Sequence, residues 1–341
     1  MFKAQGNVLN HIQDEVSQKV YNGRISYNNG DIAGLQTMIS TVQNGTEMMR
    51  FMDFYNKNLY IFGAGILGRA FLRVWKMKYS FIAFIDNDVN KQGTVVDGLP
   101  VISLNEAINS ADNIAVVIVC KMSNDKIEEQ LKKTGIMEQH IFNVSKYNIE
   151  LSKRQYFDLD HINKNQKERF VDCGALDGDT SMNMYRWFGG NIDRIWMFEP
   201  DKQSIKKCIE NFKNLNFDRY EIIEKAVYSV KTQLCFESRG DAGSCIRQDG
   251  KDKVDTISLD EAIGKYHPSF IKMDIEGAEL EALKGAKGII CRDKPKIAVC
   301  VYHKKEDIFL IPKLLLEYNS DYKFWFRHYS LNNEETVIYA L

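Results

Sequence analysis

One stretch of the chain concentrates residue types that can do chemistry: Phe170-Val171-Asp172-Cys173-Gly174-Ala175-Leu176-Asp177-Gly178-Asp179-Thr180. An apolar run ends in Asp172, a loop with Gly174 and Gly178 follows, and Asp179-Thr180 can cap a helix. Glycine at a strand-to-helix turn lets the backbone approach a ligand closely, as nucleotide-binding loops do. The acids then select among ligands of that kind. A dinucleotide or triphosphate would set its phosphates against Asp172, Asp177 and Asp179, at a cost on the order of several kcal/mol in a sheltered site. S-adenosylmethionine carries a sulfonium and an α-ammonium and no phosphate, so carboxylates suit it. Glu199 closes the next apolar run, 21 positions after Gly178, where an acidic side chain can accept both ribose hydroxyls. The competing reading of the same acids is helix caps and solvated loop residues.

Two further residues stand at the ends of apolar runs, where catalytic groups collect in open α/β sheets: Asp274 after Phe270-Ile271-Lys272-Met273, and His303 after Ile297 to Tyr302. Methyl transfer is an in-line displacement that needs the acceptor placed opposite the sulfur and a group to take its proton. His303 fits the general base, with Asp274 orienting the acceptor or the imidazole; the plainer alternative is a surface histidine at a helix start. Asp274, Glu276 and Glu279 could together hold a hard divalent cation. Glu276-Gly277-Ala278-Glu279 reads more simply as loop and helix start, with Glu279 favoured by the helix dipole, so no metal is expected. A second glycine loop, Gly63-Ala64-Gly65-Ile66-Leu67-Gly68, follows an apolar run, and Asp86 ends the next run 18 positions after Gly68. Taken alone that spacing predicts dinucleotide binding with Asp86 on a ribose. The surrounding unit is short, however, and lacks a Tyr-x-x-x-Lys or other dehydrogenase centre.

These residues need elements to hold them. Residues 1–57 are polar, with helices expected over Gln13 to Tyr21 and Ile32 to Phe54. From Asn58 short apolar runs alternate with amphipathic stretches, the pattern of a parallel sheet wrapped by helices. Residues 58–145 form one such Rossmann-like unit, residues 146–168 read as a charged linker, and a second alternation fills 169–341. The expected fold class is therefore α/β, two consecutive Rossmann-like parallel-sheet domains preceded by an N-terminal helical segment. That segment could cap the first sheet or make a homo-oligomer. The Gly- and Ser-rich stretch from Cys235 to Lys253 suits an acceptor wall or lid, with Arg239 and Arg247 available for an anionic acceptor. His328 is a weaker site candidate.

Taken together, Asp172-Cys173-Gly174-Ala175…Gly178-Asp179-Thr180, Phe198-Glu199-Pro200, Ala226-Val227, Ile257-Ser258-Leu259-Asp260 and Lys272-Met273-Asp274-Ile275-Glu276-Gly277-Ala278-Glu279 resemble the FkbM family of S-adenosylmethionine-dependent methyltransferases. The resemblance runs from about Arg169 to Leu341. It implies a seven-stranded class I methyltransferase fold with a final antiparallel strand, and O-methylation of a small molecule or sugar. By position it implies Asp172, Gly174, Ala175, Gly178, Asp179 and Thr180 at the methionine end of the donor, Glu199 and Pro200 at the ribose, and Ala226 and Val227 at the adenine. It also makes the strands ending in Asp274 and His303 neighbours. In the first unit, Phe84-Ile85-Asp86-Asn87-Asp88 and Gly98-Leu99-Pro100-Val101-Ile102 are similar to the N-terminal domain of bacterial sugar O-acyltransferases, which implies a nucleotide sugar near Gly63, Gly65, Gly68 and Asp86. The alternative is that these glycines serve packing alone.

Composition sets the outer limits. Across 341 residues, 45 Lys+Arg balance 46 Asp+Glu, for a net charge of −1, which argues against a nucleic-acid partner or a membrane surface. No apolar run is long enough to insert in a bilayer. Seven cysteines without a Cys-x-x-Cys pair fit reduced thiols in a cytoplasm. The leading expectation is a methyltransferase acting on a hydroxyl of a sugar or glycan precursor. Its rivals are an NAD(P)-dependent oxidoreductase or sugar-nucleotide modifier centred on Gly63–Gly68, and a non-catalytic nucleotide-sensing scaffold.

Overall fold

The computed structural model describes residues 8–110, 113–120, 124–159, 162, 167–213, 215, 217–238, 243–247 and 249–341. The chain divides into two compact units. One comprises Asn22–Gln155 with His328–Glu334; the other comprises Tyr156–Arg327, the N-terminal segment through Tyr21, and Glu335–Leu341.

The first unit is built on β1 (Leu59–Phe62), β2 (Phe81–Ile85), β3 (Val95–Val96), β4 (Leu99–Ile102), β5 (Ala115–Ile118) and β6 (Ile141–Asn143). They form one sheet in the order β3-β4-β2-β1-β5-β6. All neighbouring pairs are parallel except the short β3–β4 hairpin. β1 and β5 are buried along their whole length, as strands covered on both faces must be. Tyr60, Phe62, Ile85, Val116 and Ile118 anchor the core on one side, with Leu104 and Leu131 from the flanking helices. The helix expected across Ile32 to Phe54 is two, Ile32–Ile39 and Gly45–Phe54. Ser40 and Thr41 donate their hydroxyls to the carbonyls of Thr37 and Met38, competing with continued helix. Asn44 turns left-handed at φ 60°, and a Cβ on Gly45 would lie 1.9 Å from the Ile39 carbonyl oxygen. The helix Val144–Ser152, capped by the Asn143 side chain on Lys146 N–H, runs into the stretch expected as linker.

The second unit carries β7 (Glu168–Cys173), β8 (Ile192–Phe198), β9 (Tyr220–Ile223), β10 (Ala226–Val227), β11 (Gln233–Glu237), β12 (Cys245–Ile246), β13 (Asp252–Ile257), β14 (Phe270–Met273), β15 (Lys296–Cys300), β16 (Phe324–His328) and β17 (Thr336–Ala340). Its main sheet runs β16-β17-β15-β14-β7-β8-β9. β15, β14, β7, β8 and β9 are parallel, and β17 is antiparallel to β15. This is the seven-stranded arrangement expected. The order reverses beside β7, so the ends of β7 and β14 face the crevice where ligands bind in such sheets. A second sheet, β10-β13-β11-β12, takes in parts of the stretch expected as a lid; its strands are too short and exposed to announce themselves in hydropathy. Residues 8–21 of the N-terminal segment pack in this unit. Gln13 N–H donates to Phe324 O at 3.1 Å and Phe324 N–H to His11 O at 2.8 Å, while Asp14 holds Arg327 at 2.7 Å. These residues extend the edge at β16, while the helices Ile32–Ile39 and Gly45–Phe54 of the same segment belong to the first unit.

Candidate active site

An open cleft lies at the carboxyl ends of β7, β8 and β14, lined by Gly174, Leu176, Glu199, Pro200, Ala226, Val227, Phe236, Ser244, Cys245, Ile246 and Asp274 to Glu276, with Phe198 and Ala278 completing it. Gly174 sits at φ +80°, and a Cβ there would lie 2.0 Å from the carbonyl oxygen of Asp274. Only glycine lets the loop after β7 come that close to the end of β14. Glu199 is fixed from two sides: Leu176 N–H donates to its Oε2 at 2.9 Å and Asp201 N–H to its Oε1 at 2.8 Å. Burial pushes its pKa up to about 7, against the lowering effect of those two bonds. Asp201 in turn caps the helix Lys202–Phe212 through Gln203 and Ser204 N–H and accepts the hydroxyls of Ser238 and Ser244, tying the cavity's far wall to the end of β8.

The acids of the first loop are placed differently from expectation. Asp172 is wholly buried and does not line the cavity. It lies in register opposite Lys272 of β14, with Lys272 Nζ 3.0 Å from its Oδ1, and accepts Ser181 Oγ–H at 2.7 Å. A lysine inside a buried strand must be paired, and Asp172 is that pair. Lys272 Nζ also donates to Gly174 O at 2.8 Å, so the ion pair shapes the loop. Burial alone would lower the lysine's pKa, but the charges of Asp172 and Asp274 hold it above its ordinary value. Asp177 accepts Asp179 N–H, and Asp179 is exposed; burial and the Asp177 charge raise its pKa. Gly178, at φ +80°, begins the helix Asp179–Trp187 and packs on Cys208 and Phe212. Ala175 is buried and Thr180 half-buried in the first helical turn. Of Asp172, Asp177, Asp179 and Glu199, Glu199 is the one that lines the cavity, so the acidic donor pocket expected from the loop reduces to a single carboxylate.

Asp274 and His303 do converge, as the neighbouring strands β14 and β15 require. His303 Nε2 is 3.7 Å from Asp274 Oδ1 and 3.5 Å from Glu276 Oε1, and its Nδ1 is 2.9 Å from Glu279 Oε1. Glu279 is completely buried and accepts Ile275 N–H at 2.9 Å. Burial would lower the imidazole's pKa, but the carboxylates of Glu276 and Glu279 at its ring nitrogens and the charge of Asp274 outweigh it, raising the pKa to about 11. Asp274 Oδ2 accepts the hydroxyl of Tyr156 at 3.2 Å, while its Oδ1 is buried without a hydrogen bond. Tyr156, assigned to the linker, and Lys272 carry no expected role in the sequence reading, whereas Glu279, weighed there as a cation ligand or a helix-start acid, sits behind the imidazole. The legible signal was Lys272, a charge inside an otherwise apolar run.

Elsewhere the candidates are internal supports. Arg247 pairs with Glu237 and Asp249, and Arg239 lies outside the described residues. His328 is buried against Asn332 O at 2.9 Å, and burial lowers its pKa to about 3. In the first unit, a Cβ on Gly63 would meet Val119 O at 2.4 Å and one on Gly68 would meet Gly63 O at 1.8 Å. Both glycines are demanded by packing, whereas Gly65 faces open space. Asp86 accepts Ala64 N–H, Lys91 Nζ–H and Asp88 N–H, which keep its pKa below the usual range against burial.

The strand order, the glycine loop after β7 and the acid ending β8 define the class of the second unit: an S-adenosylmethionine-dependent methyltransferase of the class I fold. Residues 172–326 match the family model of the methyltransferase FkbM domain. Residues 55–142 match the model described as C2185-like, N-terminal. The crystal structure of methyltransferase FkbM from Methylobacillus flagellatus KT shares the fold at a TM-score of 0.56 and 20% identity, over 86% of this chain and 93% of that one. Aeropyrum pernix fibrillarin with natively bound S-adenosyl-L-methionine (14% identity, 56% of this chain, 74% of that one, TM-score 0.37) and an S-adenosylmethionine-dependent methyltransferase from Aquifex aeolicus (13%, 58%, 98%, 0.33) are similar too weakly to carry argument. No curated protein matches the chain in sequence. Among the described residues no helix is long and apolar enough to cross a membrane.

Proposed function

We propose that the chain methylates a hydroxyl of a small polyhydroxylated molecule, a sugar or glycan precursor. The observation that carries this reading is the acceptor end of the cavity, where Asp274 and Glu276 present carboxylates. Carboxylates accept hydrogen bonds from hydroxyls and repel phosphates, so a neutral polyol suits this end and a nucleic-acid backbone does not.

The residues around the cavity fit the donor. Glu199 offers a fixed carboxylate for ribose hydroxyls, the backbone at Gly174 leaves room for the methionine end, and Ala226, Val227 and Ile246 offer apolar walls for adenine. When bound, the donor supplies an electrophilic methyl on a sulfonium. The chain's own part is to place the acceptor and take its proton. The Asp274 carboxylate, one oxygen of which is held by the Tyr156 hydroxyl, receives the hydroxyl proton. His303, 3.7 Å from Asp274 and 3.5 Å from Glu276, positions the two carboxylates. The roles expected of His303 and Asp274 are thus exchanged.

An acceptor screen that includes nucleotide sugars, scored by release of S-adenosylhomocysteine, tests the reading. Asp274→Asn should lower turnover about 10²- to 10⁴-fold and leave product affinity nearly unchanged. Unaltered turnover in that variant, or no hydroxyl acceptor among sugars and their nucleotides, would overturn it.

A further inference from the structure

We propose that Asp274, Glu276 and His303 form a binding site for one divalent first-row cation at the acceptor end of the cavity. One ligand atom from each residue lies within 4.8 Å of the others. With metal–ligand bonds of about 2.0–2.2 Å, ligand atoms around one ion stand roughly 3 to 3.5 Å apart. The measured 3.5 and 3.7 Å from His303 Nε2 to Glu276 and Asp274 need only a small contraction.

A second observation is independent of the acids. The His303 side chain is only 8% exposed, yet its Nε2 has no hydrogen-bond partner, and neither does Asp274 Oδ1 facing it. Buried polar atoms are normally satisfied, and an ion between these two would satisfy both. The groups behind them are arranged accordingly. Glu279 Oε1 lies 2.9 Å from Nδ1, close enough to take that nitrogen's proton when Nε2 gives up its own to an ion between Asp274 and Glu276, the carboxylate–histidine pairing that orients metal-binding imidazoles. Tyr156 holds Asp274 Oδ2 and leaves Oδ1 for the ion.

Two carboxylates and one imidazole suit Mn²⁺, Fe²⁺ or Zn²⁺ better than Mg²⁺. Three protein ligands leave positions open, and Asp274 and Glu276 line the cavity, so these positions face the acceptor. There the cation would take adjacent hydroxyl oxygens and acidify one of them. This last role rests on the hydroxyl-methylation reading; the binding of the ion does not.

The full-length chain, stripped with chelator and titrated with Mn²⁺ by calorimetry and electron paramagnetic resonance, should bind one ion. Glu276→Gln and His303→Gln should each weaken Mn²⁺ binding at least about tenfold, and Glu279→Gln by about 10-fold. Stabilisation by S-adenosylhomocysteine, retained in all three, shows that they fold. Absence of saturable binding of Mn²⁺, Zn²⁺ and Mg²⁺ at millimolar concentration, or affinity unchanged in both Glu276→Gln and His303→Gln, overturns the site. Ion binding that depends on the trio, without turnover of any hydroxyl acceptor, upholds the site and removes the hydroxyl reading. Turnover on a hydroxyl acceptor with no ion binding does the reverse.

Discussion

Two carboxylates of this site show how environment assigns a side chain its task. Glu199, with its pKa raised by burial to about 7, meets the donor half-ionised near neutrality. Ribose hydroxyls donate to the charged form, so donor binding favours ionisation, and affinity must fall as pH drops below about 7. S-adenosylhomocysteine titrations between about pH 6 and 8 should show tighter binding at the alkaline end. Glu199→Gln should bind more weakly and without that slope; a slope that survives the substitution would place its origin elsewhere. Asp172 has the opposite task. Its ion pair with Lys272 is closed from solvent, and removing one partner leaves a buried charge uncompensated. Lys272→Met should therefore lower stability by about 3–5 kcal/mol in urea denaturation, and adding Asp172→Asn should recover much of the loss. Equal losses in the single and double variants would show that the pair does not couple.

At the scale of elements, glycine loops that look alike in sequence do unlike things. The loop after β7 uses Gly174 to meet the end of β14, and the contact forms one wall of the cavity. The loop after β1 uses Gly63 and Gly68 for contact between its own backbone segments and β5's exit at Val119, and the one acid at its rim, Asp86, is held by Ala64, Lys91 and Asp88. Packing alone explains two of that motif's three glycines. Gly68→Ala would drive a Cβ to within 1.8 Å of Gly63 O, so it should destabilise the first unit by several kcal/mol. Native-state hydrogen exchange should then show β1 and the helix Ile66–Trp75 losing protection. Binding of S-adenosylhomocysteine should be unaffected, and if it fell sharply the donor would depend on the first unit.

For the whole molecule, donor product and dinucleotide discriminate the two loops. Saturation with S-adenosylhomocysteine at about a hundredfold excess over its Kd should stabilise the chain by about 2.7 kcal/mol, raising the midpoint of thermal unfolding, whereas NAD should leave it unchanged. Stabilisation by NAD alone would return the oxidoreductase reading to first place. Much of the architecture was legible in the residues because apolar runs separated by amphipathic stretches leave few alternatives to parallel sheets wrapped by helices. Strand ends such as Asp274 and Glu199 could be placed for the same reason, since a strand's last residue is fixed by the run that precedes it. The small sheet β10-β13-β11-β12 was not legible, because two-residue and half-exposed strands carry no period. Nor was the break at Ser40–Asn44, which depends on hydroxyls bonding nearby carbonyls. Sequence by itself determined the fold class, the glycine loop after β7 and the acid ending β8, and the resemblance it carries implied that Asp274 and His303 end neighbouring strands. Tertiary structure decided the charges: which acid faces the cavity, which is neutralised by Lys272, and that three carboxylates surround one imidazole. Local patterns encode where the chain extends and turns, but the electrostatic state of a group depends on neighbours 3 to 4 Å away in space that stand up to a hundred residues away in the chain.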